Sequence, residues 1–511
     1  MVNKVYSNRI SEYAHENGGR VLLLFILFLL SIYSFKNSGI NGIAMIVAIP
    51  LSIIFVYIAF TYRMVTLWAL FLTNYFISFF ARENLLPGIP VSLMNELLEL
   101  ALIAIAIIDL KETNFNHLAN VMLLALMGWC TFCFLEVLND TCGLGPNIGA
   151  WFTGIRLMAF QLLYAFIVFS LYINTPNRLY RLFKIWAICS IFSVFWCWKQ
   201  QNIGWTPAES NWLFAQGHIR QHFVNGIMRY FSIFTDAANF GIHMACASVA
   251  FFIIAITNKI RKNKFFYGII GILTTWAMFA SGTRTAIFCM IAGFMMFLVL
   301  SKSAKIIVPV SIVFGLFIGM LMFTNIGQGN NQIRRMRSAF NPNDASANVR
   351  DINKQAIAKY MKDAPWGIGI GIFSENIPAW NKFKLVSQIP PDSEYVFIWV
   401  RTGWIGVSWF AICNIIILFA ACWTVFFDIK NRSLMGLGAA WCASFTALHL
   451  GGYANQILMQ FPNIVIFYGG IATVFIMPKM EKEFELYEAK ELAEEEKKKQ
   501  LKLEKKLAKR V

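Results

Sequence analysis

Charge is what this sequence has least of. Only 14% of its 511 residues are Asp, Glu, Lys or Arg, while 58% are hydrophobic and mean hydropathy is +0.58. Soluble domains carry about a quarter charged residues. That deficit excludes a soluble enzyme and points to an all-α polytopic membrane protein. A small-residue cleavage site is also missing after the first apolar run, 21–35, which is expected to stay as the first helix. A disulfide framework is missing too, because the ten Cys lie mostly inside apolar runs. Cys130 and Cys133 form a C-x-x-C within one such run and read as small buried side chains. Neither long polar interval holds an Asp-x-Asp pair, so a bridging divalent metal is not suggested.

What is there is a series of apolar runs long enough, or nearly so, to span a bilayer. They fall at 21–35, 42–60, 64–80, 91–110, 120–138, 157–173, 182–198, 240–256, 265–280, 285–300, 306–323, 404–427, 435–453 and 463–477. About fourteen transmembrane helices are therefore expected, with 12–14 as the range. The short runs must borrow flanking residues. The fourth, with Asn95, Glu96 and Glu99, suits either a span or the interface. The expected organisation is a cytoplasmic segment at 1–20, then helices 1–11 over 21–325 with an outer loop at 199–239. A large periplasmic loop at 326–394 follows, then helices 12–14 over 395–478 and a charged helical cytoplasmic tail at 479–511.

Orientation comes from the short loops. With the N-terminus inside, inner loops carry thirteen Lys or Arg, and outer loops carry four: Lys36, Arg82, Arg156 and Arg284. The positive-inside rule then puts both termini in the cytoplasm. The net charge of +17 thus belongs to membrane loops and is no nucleic-acid signature. The 326–392 interval breaks the trend, with nine Lys or Arg against five Asp or Glu, including Arg334, Arg335, Arg337 and Arg350. Long loops escape the rule, so these cations are either solvated surface or a site. Arg229 and Arg284 are expected on the same side as Arg350, which favours a site for an anionic ligand at the outer leaflet. His218 and His222, four apart, lack a nearby third ligand beyond Glu209 and read as loop histidines without metal.

Four pieces carry a resemblance. Met228-Arg229-Tyr230-Phe231-Ser232 leads to an Asn step into a helix at Asn239, and Ser281-Gly282-Thr283-Arg284 is a tight turn between two helices. Asp363-Ala364-Pro365-Trp366-Gly367-Ile368-Gly369-Ile370-Gly371-Ile372-Phe373 is a Gly-punctuated element, and Asp392-Ser393-Glu394-Tyr395 precedes a helix with Gly403 and Gly406. Their order, from Arg229 to Gly406, resembles the O-antigen ligase and O-antigen polymerase family. The family's His-Asn-x-Tyr step has Asp392 in place of its His. Asp392 is then either a helix N-cap or a carboxylate in the polar role, and the change favours polymerase over ligase.

The resemblance implies a bacterial inner-membrane enzyme, multi-pass, that polymerises polyprenyl-diphosphate-linked repeat units at the periplasmic face. Its partners would be a lipid-linked glycan donor, a glycan acceptor, membrane lipids, and a chain-length regulator or flippase; no cofactor, metal or nucleic acid is called for. Alternatives are ligation of a finished glycan to lipid A core or another acceptor, and transport of a lipid-linked sugar. The chemistry requires cations on the leaving diphosphate, where Arg pairs two oxygens at once. It also requires an acceptor for the attacking hydroxyl's proton. Arg229, Arg284 and Arg350 fit the first role, with Arg334, Arg335 and Arg337 near them. Asp392 or Glu394 fits the second. Gly367, Gly369 and Gly371 are either a flexible turn or a set of amides touching the diphosphate.

Overall fold

The computed structural model describes residues 57–507 apart from 86–90, 112, 225 and 338–344, together with a few isolated positions before 57. The segment expected at 1–20 and the first two expected spans lie almost wholly outside the described residues. A spanning backbone must satisfy its own N–H and C=O groups, which leaves the helix as its form. Every later expected span falls on a helix. Seven helices are long and apolar enough to cross a membrane, or eight if Asn463–Val474 and the strongly bent continuation Met477–Leu501 count as one. Thr285–Leu300 and Ile307–Phe323 are shorter apolar helices. The fourteen expected from the sequence is therefore not reached by that measure among the described residues.

Leu67–Val511 forms one unit. Its most enclosed members are Ala237–Thr257 and Arg432–Ala454, each with 83% of its apolar window buried. Small residues permit this: a Cβ on Gly451 would stand 2.8 Å from Ile242 Cγ2, and one on Gly436 would overlap Thr257. Close backbone approach replaces the hydrophobic drive that helices lack inside lipid.

One expectation is corrected here. Arg156 is no loop cation; it lies within Ile148–Tyr172 and donates from Nε to Glu96 Oε2 at 2.9 Å. The fourth run is a helix, Val91–Ile108, whose Asn95, Glu96 and Glu99 are buried. Thr73 donates to Asn95, and Gln161 donates to Glu99. Polar groups on neighbouring helices thus satisfy one another. The tail expected at 479–511 as a solvated helix falls on the helix Met477–Leu507, of which Met480, Phe484 and Glu488 are buried.

Connections gather at two ends. At one, Glu488 accepts from Lys259 Nζ at 2.9 Å, from Asn431 Nδ2 at 3.0 Å and from Ser433 Oγ. Lys479 Nζ reaches Asn116 O there. At the other end, Arg82 donates to Ser232 O and Phe234 O, and Asn139 Nδ2 donates to Trp366 O at 2.8 Å. The 203–236 and 324–393 segments share this second end. They are not plain loops: they hold the helices Asn331–Arg337 and Ala345–Met361 and a hairpin, Phe223–Val224 with Ile227–Met228.

Candidate functional site

A cavity of about 620 Å³ opens at this second end, and Arg220, Arg229, Asp236, Arg350, Asp392 and Gln460 are among its lining residues. The hairpin sets Arg229. Its strands pair antiparallel, Phe223 opposite Met228, and Arg229 N then closes onto His222 O at 2.7 Å. The guanidinium donates from Nη1 to Gln221 O at 3.1 Å and from Nη2 to Thr283 Oγ1 at 3.2 Å. Its Nε is buried and has no hydrogen-bond partner. Burial holds this guanidinium below the usual arginine range; the Arg284 and Arg350 charges add to the effect and Asp236 opposes it. A buried N–H without a partner costs about 1–3 kcal/mol, and an incoming anion would relieve that cost.

Thr283 links Arg229 to the helix below. Its Oγ1 also donates to Ala237 O at 2.7 Å. The Ser281–Arg284 turn is seated there because Gly241 has no side chain, since a Cβ would overlap Ser281 Oγ. Arg284 occupies the N-cap position of Thr285–Leu300. It feels Arg229 electrostatically but is not among the residues lining the cavity. At the head of Ala237–Thr257, Asp236 caps with Oδ1, which accepts from Ala238 N at 2.7 Å and Asn239 N at 3.0 Å. Beneath, Gln460 Oε1 accepts from Thr235 Oγ1 and Asn239 Nδ2, so the cavity floor is hydrogen-bonded.

Arg350 and Asn353 share one face of Ala345–Met361, three residues apart. Arg350 lines the cavity, and Asn353 Nδ2 donates to Asp392 Oδ2 at 2.7 Å. Asp392 is half-buried at φ +52, a left-handed conformation that Asp tolerates better than most residues. The helix starts at Glu394 with Ser393 at its N-cap position. Asp392 therefore stands before the cap, and it lines the cavity.

The other expected residues are placed elsewhere. Glu394 is buried and accepts from Leu458 N at 2.9 Å, holding the 455–462 segment whose Asn455, Gln456 and Gln460 line the cavity. It is not itself a lining residue. Arg335 is buried with Nε on Gly282 O at 2.8 Å and Nη1 on Val224 O at 3.2 Å. Arg337 donates to Met320 O, Thr324 O and Ile326 O at the end of Ala304–Phe323. Arg335 gives Nε and Nη1 to main-chain carbonyls and Arg337 gives both Nη groups, its buried Nε having no hydrogen-bond partner; neither residue lines the cavity. Arg334 is exposed.

Gly367, Gly369 and Gly371 all have positive φ. Gly403, at φ +68, breaks the Glu394–Trp423 helix and frees the carbonyls before it. Ile368 N and Gly369 N donate to Val400 O and Arg401 O at 2.9 and 3.0 Å. A Cβ on Gly371 would overlap Ala150 O. Two amides of the turn are therefore committed to the helix, and none of its glycines lines the cavity. His218 and His222 pack on Trp212, and His222 Nδ1 is 3.2 Å from Arg229 O.

Sequence reading missed Arg220, Asp236 and Asn353. Asp236 and Asn353 carried a local signal, as a helix-start Asp and as the i+3 neighbour of Arg350; Arg220 carried none. Residues 269–411 match the model of the O-antigen ligase family. The match runs from the Arg261–Ala280 helix through Arg284, Arg350, the Gly turn and Asp392, and leaves Arg229 outside. Over this segment the resemblance read from the motifs is borne out. No curated protein matches the chain.

Proposed function

We propose that this chain is a metal-independent membrane glycosyltransferase that polymerises polyprenyl-diphosphate-linked repeat units at the periplasmic face. Arg229, Arg284 and Arg350 neutralise the donor diphosphate, and Arg220 adds to the field of the cavity. The acceptor hydroxyl oxygen attacks the anomeric carbon, and the bond from that carbon to the phosphate oxygen breaks. The electron pair leaves with the polyprenyl diphosphate, and the hydroxyl proton passes to Asp392. The observation that carries this reading is the cavity that Arg229, with its buried and unpartnered Nε, lines together with Arg350 and Asp392. Arginine charge supplies what a metal would otherwise supply.

In this reading both termini are cytoplasmic. Cysteine placed at Asn343 is labelled from outside, whereas cysteine at Gln500 is not; the reverse pattern overturns both the orientation and the periplasmic site. The activity test uses purified protein in nanodiscs with lipid-linked repeat units. Lengthened lipid-linked glycan supports polymerase. Ligation to a different acceptor is the second reading, favoured by the family description matched at 269–411. It is supported by transfer of preformed polymer without lengthening. Transport without any new glycosidic bond overturns both.

A further inference from the structure

A second cavity, of about 880 Å³, lies at the opposite end from the arginine site, where the tail helix crosses the starts of Pro176–Asn202 and Arg261–Ala280. Its lining holds six cations, Arg181, Lys184, Arg261, Lys262, Lys498 and Lys499, against the carboxylates of Glu491, Glu494 and Glu495. The carboxylates are partly spent. Glu495 accepts the main-chain N–H groups of Arg261 and Lys262 at 3.2 and 2.9 Å, and Glu494 stands 3.9 Å from Lys498. Among the described residues Arg181, Lys184 and Lys262 have no side-chain ion pair, so the groove keeps an uncompensated positive field. Its back wall is aromatic and rigid, because Tyr180 stacks on Phe484 and Tyr487 at 5.4 and 5.6 Å.

The groove continues into an apolar stripe. Phe265, on its rim, is 61% exposed, and Ile269 and Ile272 are 57% and 63% exposed. These positions are four and three apart and so share one helix face. A cluster of cations between helices, opening onto an apolar helix face, has the shape of a phospholipid: phosphate above, chain below. A soluble phosphate would leave the stripe unused.

We propose that this groove binds the phosphate of an anionic phospholipid, with an acyl chain lying down Phe265, Ile269 and Ile272. The bound lipid joins the tail helix to the bundle through Lys498 and Lys499. The site is independent of the arginine cavity and of the glycosyltransferase reading.

The test uses the full chain in detergent, native mass spectrometry for retained lipid, and thermal unfolding. Phosphatidylglycerol is expected to be retained and to raise the unfolding midpoint, and phosphatidylcholine is not. The triple variant Arg181→Gln/Lys184→Gln/Lys262→Gln, all at exposed positions, is expected to fold as the parent does and to hold phosphatidylglycerol on the order of a hundredfold more weakly. Phe265→Ser alone is expected to weaken phosphatidylglycerol binding without affecting that of inorganic phosphate. Equal retention of the two lipids, undiminished binding by the triple variant, or complete displacement of the lipid by an equal concentration of inorganic phosphate overturns the proposal.

Discussion

Asn353 donates a hydrogen bond to Asp392 across 2.7 Å, tying a helix of the long polar segment to the residue just ahead of the Glu394–Trp423 helix. That bond holds one carboxylate oxygen of a residue that lines the cavity. The N-cap position of the Glu394–Trp423 helix is Ser393, and Asp392 precedes it.

Asp392→Asn is therefore expected to lose transfer activity by at least about a hundredfold, the scale of a missing general base. Its thermal midpoint should stay within a degree or two, because Asn can still accept from Asn353. Asn353→Leu should lower kcat by about tenfold with KM unchanged, as a positioning residue does. The measurement is steady-state transfer with purified variants, and a fully active Asp392→Asn would remove the base assignment.

Arg229 makes two fixed hydrogen bonds and keeps its buried Nε without a partner. Lysine supplies the charge but not the fork. Arg229→Lys, Arg284→Lys and Arg350→Lys are each expected to cut polymer yield at least tenfold at unchanged membrane abundance, scored by immunoblot and glycan gel. Thr283→Val should reproduce part of the Arg229 defect, because it removes the acceptor for Nη2. Wild-type yield from all three lysine variants would reduce these arginines to topology residues.

Glu394 holds backbone rather than substrate. Glu394→Ala is expected to destabilise the protein by about 1–3 kcal/mol, the cost of orphaning buried donors. Glu394→Gln, which keeps an acceptor oxygen, should retain most activity in the folded fraction. Calorimetry with an activity assay on the same samples distinguishes the cases; a stable but inactive Glu394→Gln would return this residue to the chemistry.

Gly403 and Gly371 fail differently from Gly369. A Cβ on Gly403 would overlap Pro365 O, whereas at Gly369 the nearest contact is 3.1 Å, to a side chain. Gly403→Ala and Gly371→Ala should abolish accumulation of the protein. Gly369→Ala should cost about 1–2 kcal/mol, the ordinary penalty of positive φ, with measurable activity remaining. Loss of activity without loss of stability in Gly369→Ala would instead point to a phosphate-contacting turn.

His222 supplies a pH dependence. Burial lowers its pKa from 6.5 to about 4; the hydrogen bond to Arg229 O and the Asp236 charge oppose this, and the Arg229 and Arg82 charges reinforce it. Between these values the unfolded chain binds the proton and the folded one does not, so stability rises with pH across that window. Acidification from about pH 6.5 toward 4 should therefore remove stability, on the order of 3 kcal/mol at most. The His222→Gln variant should show a shallower slope of unfolding midpoint against pH. Identical slopes would mean that His222 does not titrate in this range.

The sequence by itself determined the class of protein, the position of nearly every described apolar helix and three residues that the fold brings to one cavity: Arg229, Arg350 and Asp392. Hydropathy and charge act locally along the chain, and an arginine beside a span in a charge-poor sequence stands out. Tertiary structure decided which candidates meet. Asp392 and Glu394 are two apart, yet the start of a helix between them turns one toward the cavity and the other into a clamp on Leu458, 64 residues away. Arg335 and Arg337 differ from Arg229 in where the fold puts them: Arg229 lines the cavity, whereas Arg335 and Arg337 donate to main-chain carbonyls away from its lining. Arg156 became an interhelical partner of Glu96 for the same reason. Where a polar side chain finds its partner depends on contacts far away in sequence, and no local pattern carries them.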